Sequence, residues 1–215
     1  MHGFSRQKLR LVAQQRNQEL RQRFMTECSA YRPEMFVFVE ETGSDRRNAM
    51  RKFGYSLVGK TPSVSRLLVR GKRFSAIAAL TLDGIIATLV TSNTVTAVTF
   101  EEFIVSKLLT RLMPFNGVNP NGILVLDNAT IHHVQSVLEL IKEIGCLVLF
   151  LPPYSPDLNP IEETFSKIKY NLKANDSLIQ KLHEEALPDM ILSIFDTVSP
   201  EDSYGWFKHS GYIPA

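Results

Sequence analysis

Three short apolar runs, each stopped abruptly, constrain this chain more than any other feature. They are Met35-Phe36-Val37-Phe38-Val39, Ile123-Leu124-Val125-Leu126 and Cys146-Leu147-Val148-Leu149-Phe150-Leu151. Such runs lack polar alternation and are too short for core helices, so they suit strands covered on both faces. The first ends in Glu40-Glu41-Thr42-Gly43, read as a turn closing the strand. The second ends in Asp127-Asn128, and the third enters the proline-rich loop Pro152–Pro160. Two further runs, Phe74–Leu80 and Ile85–Val90, flank Asp83-Gly84 and predict a hairpin.

Helical periods fill the intervals. Over residues 5–30, Leu9, Val12, Ala13, Leu20, Phe24 and Met25 recur at helical spacing among Arg, Gln and Lys, and Pro33 bounds the segment. Phe100–Met113 predicts a helix with Thr99 as N-cap and Glu101 and Glu102 in its first turn. Val134–Ile144 ends at Gly145, a C-terminal stop signal. Ile161–Leu172 follows, then Ser177–Ile194 with a kink at Pro188, then a short helix with Ser199 as N-cap and Pro200 at its first position. Residues 44–73 are polar, basic and irregular, partly β. A meander followed by alternating helices and strands gives an α/β fold, in which antiparallel and parallel strands share one central sheet flanked by helices. The expected organisation is a basic N-terminal helix over 1–33, packing on or leading into one core domain over 34–215.

Charge divides the same way. Residues 1–73 hold 16 of the 24 Lys and Arg but only 6 of the 22 Asp and Glu. A basic third on a near-neutral whole suits a polyanion partner; a solvated basic surface is the plainer alternative. No apolar run is long enough to span a bilayer, so no membrane association is expected. The N-terminus lacks the apolar segment of a secretory signal, so an intracellular location is expected, nuclear if the source is eukaryotic. Cys28 and Cys146 form no C-x-x-C pair and read as structural thiols. No His/Cys cluster with zinc spacing, no G-x-S-x-G and no P-loop is present, which argues against zinc and against a small-molecule cofactor.

Three acids occupy informative places. Glu40 and Asp127 stand at strand ends, and Glu162 opens a helix just after the last strand. Sites in such sheets form beyond strand ends. Clustered carboxylates repel and need cations, and hard oxygen donors suit Mg²⁺ or Mn²⁺. Two such ions, about 3.5–4 Å apart, can activate water and stabilise the leaving oxygen of a phosphodiester. Each acid also has an ordinary reading. Glu40 and Asp127 alone would be turn residues. Asn159-Pro160-Ile161-Glu162 alone would be a variant capping box, with Asn159 as N-cap. Glu163, one residue on, points about 100° away around the helix.

The stretches Val125-Leu126-Asp127-Asn128-Ala129-Thr130-Ile131-His132 and Phe150-Leu151-Pro152-Pro153-Tyr154-Ser155-Pro156-Asp157-Leu158-Asn159-Pro160-Ile161-Glu162 resemble the signature of mariner-type transposases and their bacterial insertion-sequence relatives. The 34 residues between Asp127 and Glu162 match that family's spacing. Upstream, Phe38-Val39-Glu40-Glu41-Thr42-Gly43, Arg47, Gly54-Tyr55 and Gly59-Lys60 resemble its first-acid strand and loop. The resemblance covers roughly residues 35–175. It implies an RNase H-like fold and a triad of acids, Glu40, Asp127 and Glu162, binding two Mg²⁺ or Mn²⁺ ions. It also implies cleavage and strand transfer of DNA, and dimeric action on paired ends. Arg46, Arg47, Arg51, Lys52 and Lys60 are the expected DNA-backbone contacts. Asn128 and His132 follow Asp127 and are candidates to support the acids by touching metal-bound water or phosphate, while His132 and His133 equally read as ordinary helix-start residues.

Two departures stand out. The family has Asp where this chain has Glu40, whose carboxylate lies one methylene, about 1.5 Å, further from the backbone. Magnesium demands near-ideal geometry, so weakened activity is expected. Family members also carry paired helix-turn-helix domains ahead of the core, whereas this chain has one basic helix there. A non-catalytic, repurposed DNA-binding domain is therefore the competing expectation.

Overall fold

A computed structural model describes residues 16–45, 55–61, 73–179 and 182–214. Five strands form one sheet: β1 (Phe36–Asp45), β2 (Arg73–Thr81), β3 (Gly84–Thr91), β4 (Ile123–Leu126) and β5 (Leu147–Phe150). Their order is β3-β2-β1-β4-β5. The β1-β2-β3 meander is antiparallel, while β4 joins β1 and β5 joins β4 in parallel. The apolar runs predict all five strands. The hairpin turn falls one residue early, at Leu82-Asp83, and Gly84 opens β3 at φ 114°, a conformation suited to glycine.

Helices cover both faces. On one face lie α1 (Gln18–Cys28), α4 (Ile161–Ala174), α6 (Leu187–Phe195) and α7 (Pro200–His209). They pack Phe24, Phe165, Ile168, Phe195 and Phe207 against Phe36 and Phe38. On the other face lie α2 (Ala97–Phe103), a π-helical turn at Ile104–Leu108 and α3 (Gln135–Glu143), which pack Phe100, Phe103, Ile104, Val137 and Ile141 against Val37 and Val39. The period-2 alternation of β1 divides the core in this way. On α4, Ile161, Phe165, Ile168 and Leu172 recur at helical spacing and are all buried.

Several local readings change. β1 does not stop at Glu40. It runs on to Asp45 because β2 continues to pair with it, from Glu40↔Ala78 to Asp45↔Arg73. The helix after β3 starts three residues early: Thr96, not Thr99, is the N-cap of α2, its side chain accepting from the Thr99 N–H. Glu101 and Glu102 therefore lie beyond the first turn. Pro188 kinks nothing; it sits in the first turn of α6, where its missing N–H costs no helical bond. A short α5 (Asp176–Ile179) precedes it. The Ser199 cap holds, as a capping box with Asp202, and Asp202 also pairs with Lys167 of α4. Cys28 and Cys146 are free and buried. No helix among the described residues is long and apolar enough to cross a membrane.

Candidate active site

The site forms where pairing around β1 becomes one-sided. β1 and β4 run parallel from Phe36↔Ile123 to Val39↔Leu126, and there β4 ends. Glu40 is the first residue of β1 with no β4 partner, and Asp127 is the first residue after β4. Glu162 is the second residue of α4. All three line one cavity of about 440 Å³, together with Asn128, Tyr154 and Asn159. The strand end, the loop and the helix start thus bring together the three acids that the sequence separates.

The charges of that cavity are only partly compensated. Burial, then the nearby charges of Asp127, Glu162 and Glu41, push the Glu40 carboxyl up to about 8, against the pull of His132. Burial also raises Glu162; Lys169 opposes this and Asp127 adds to it. Asp127 behaves oppositely. Burial works to raise it, but His132 and the Ala129 N–H, 2.9 Å away, hold it below its ordinary value.

Adjacent strand positions face opposite ways, so Glu40 lies on the α4 side and Glu41 on the α2 side. There Glu41 Oε2 meets His132 Nε2 at 3.0 Å, while His132 Nδ1 lies 2.6 Å from Asp127 Oδ1. The His132 ring is fully buried against Phe100. Burial alone would lower its pKa, but hydrogen bonds to Asp127 and Glu41 raise it to about 9, which favours the imidazolium form between the two carboxylates. Asn128 supports the site differently: its amide donates to the Leu151 carbonyl at 2.8 Å and cross-links the ends of β4 and β5.

Asn159 does not cap α4. Pro160 occupies the cap position, with Glu162 second in the helix rather than third. The Asn159 amide donates instead to Glu40 Oε2. Glu163 turns away as expected and pairs with His209 of α7. The preceding loop is anchored at both sides: Asp157 accepts two bonds of 3.0 Å from buried Arg21 and one of 2.9 Å from Arg16, and Tyr212 Oη donates to the Leu158 carbonyl at 2.8 Å. Tyr154 in this loop adopts φ 54°, an uncommon conformation for a side-chain-bearing residue.

Among the expected DNA contacts, Lys60 is exposed in a turn. Arg46, Arg47, Arg51 and Lys52 lie outside the described residues. Sequence reasoning missed Glu41, Asn159 and the Arg21–Asp157 pair. Only Glu41 left a signal, as the acid next to Glu40 on the opposite strand face. Among the described residues, no three His, Cys, Asp or Glu side chains converge closely enough to enclose one ion.

A family model described as DDE superfamily endonuclease matches residues 35–183. The chain belongs to this family. Solved structures agree on the fold of this DDE superfamily member. The Mos1 transposase paired-end complex with left transposon end matches at TM-score 0.71 and 21% identity, covering 96% of this chain and 63% of that one. The Mos1 mariner paired end complex with Mn matches at TM-score 0.71 and 20% identity, covering 98% and 65%. The catalytic domain of Mos1 mariner transposase matches at TM-score 0.61 and 17% identity, covering 94% of each chain. The fold is thus that of a DDE transposase catalytic domain, RNase H-like, as the motifs imply. The chain spans just under two thirds of the longer Mos1 chains. No curated protein sequence matches.

Proposed function

We infer that this chain is the catalytic core of a mariner-type DNA transposase, cutting and joining DNA phosphodiesters with divalent ions at Glu40, Asp127 and Glu162. One observation carries the reading: three carboxylates from β1, the end of β4 and the start of α4 line a single cavity.

In its chemistry the donor set suits Mg²⁺ or Mn²⁺, while the three acids line the cavity without closing around one ion. It offers only hard oxygens, and the raised Glu40 and Glu162 mark negative charge that a cation would relieve. Two bound ions would supply the activation of water and the stabilisation of the departing oxygen. The chain's own residues do the rest. His132, braced by Glu41, keeps Asp127 ionised and in place. Asn128 fixes the strand ends on which Asp127 stands. Arg46, Arg47, Arg51, Lys52 and Lys60 hold DNA phosphates, which positions the duplex without reading its sequence. The basic N-terminal segment leads into this core through Arg16 and Arg21, and a homodimer acting on paired DNA ends belongs to the same reading.

The test is cleavage of a generic DNA duplex in Mn²⁺. We expect cleavage that Asp127→Ala abolishes. Glu40, in place of the family's Asp, favours a second reading as a DNA-binding domain without catalysis. Salt-sensitive binding with no cleavage in Mn²⁺ would establish that reading instead.

A further inference from the structure

We propose that Asn159 is a positioning residue for the metal site, and that its amide is what lets a glutamate serve at position 40. The inference rests on the transposase reading above.

The amide Nδ2 donates to Glu40 Oε2, while the backbone carbonyl of Asn159 accepts from the Glu162 N–H at 3.2 Å. One residue therefore touches both the first and the third acid of the cavity. The side chain is 3% exposed and lines that cavity. Its Oδ1 has no hydrogen-bond partner among the described residues although it is buried. Asn is a preferred helix cap, yet α4 has no side-chain cap. Asn159 thus stands one residue ahead of the cap position, held by Pro160, and its side chain turns to Glu40 with the Oδ1 left unsatisfied. Such conflicts between local preference and final structure concentrate at functional sites.

The tether matters more for a glutamate than for the family's shorter aspartate. Glu has one more rotatable bond than Asp, so an untethered Glu40 would sample more carboxylate positions and lose more entropy on binding a cation. A donor fixed at the start of α4 selects one of them. Removing a group that orients a ligand costs about 10–100-fold in metal affinity. An Asp at position 40, with its shorter reach, withdraws from the amide and no longer depends on it.

The experiment is a double-mutant cycle read by Mn²⁺ affinity, using electron paramagnetic resonance of free Mn²⁺ on the full chain without DNA. Asn159→Ala should weaken Mn²⁺ binding about tenfold or more when residue 40 is Glu, and less than about twofold in a Glu40→Asp background. Asn159→Leu roughly keeps the volume but removes the donor without adding charge, and it should weaken binding about as much as Asn159→Ala; it serves if the alanine variant fails to fold. Equal losses in both backgrounds, or no loss in either, overturn the role of Asn159. Asp127→Ala separates this from the underlying reading. If Mn²⁺ binds and Asp127→Ala leaves it unchanged, or if Mn²⁺ does not bind at all, the assignment of the site fails, and the inference with it.

Discussion

His132 and Asp127 form a close ion pair, 2.6 Å from Nδ1 to Oδ1, with the imidazole ring fully buried and the carboxylate at the edge of the cavity. Because Glu41 holds the opposite ring nitrogen, the ring cannot rotate without breaking a second charge-assisted bond. His132→Ala should destabilise the chain by about 2 kcal/mol, less than a fully buried pair would cost because both carboxylates reach solvent. Urea denaturation measures this. A loss below about 0.5 kcal/mol would show that the bridge does not hold the site together.

The Arg21–Asp157 pair makes a pH prediction. Burial works to raise the Asp157 carboxyl, but the hydrogen bonds and charge of Arg21 outweigh it and leave it below its ordinary value. The ionised form is therefore favoured in the folded state. Its contribution is present above about pH 3.9, the unfolded value, and is lost as pH falls through the lower folded value. Asp157→Asn should flatten the acid side of the stability profile in that window. An acid limb identical to that of the parent chain would contradict this.

At the first acid the length of the side chain is at issue. Glu40→Asp should raise Mn²⁺-dependent cleavage, by up to about 100-fold if the extra methylene misplaces the carboxylate by about 1 Å. Cleavage rates under single-turnover conditions decide it. An equal or slower rate in the variant would refute the idea that Glu40 weakens the site.

The stripe on α4 that sets the entry of Glu162 is a packing prediction. Phe165 is buried and meets Phe195 edge-on at 6.4 Å between ring centres. Phe165→Ala should cost about 3–5 kcal/mol. Tyr170→Ala, on the exposed side of the same helix, should change stability by no more than about 0.5 kcal/mol. Comparable losses at the two positions would mean that α4 does not use this face for the core.

Much of this protein was legible in the order of its residues. Three uninterrupted apolar runs too short for core helices, and two more runs around Asp83-Gly84, mark the five strands, and their order among the helices points to a mixed sheet. The spacing of Asp127 and Glu162 within proline-rich and Asn-containing motifs carries the resemblance to the family that its model confirms over residues 35–183. Contacts between elements were not legible. That β1 runs past Glu40 depends on β2 outlasting β4 beside it, which no local pattern encodes. That Asn159 serves Glu40 rather than its own helix depends on a carboxylate 119 positions away in sequence. The basic residue Arg21 reads as solvated surface until the fold sets Asp157 against it. Periodicity reports which face of an element is buried, because that depends on the element's own geometry. Which polar group meets which across the fold depends on where strands end and loops are anchored, and only the assembled structure decides that.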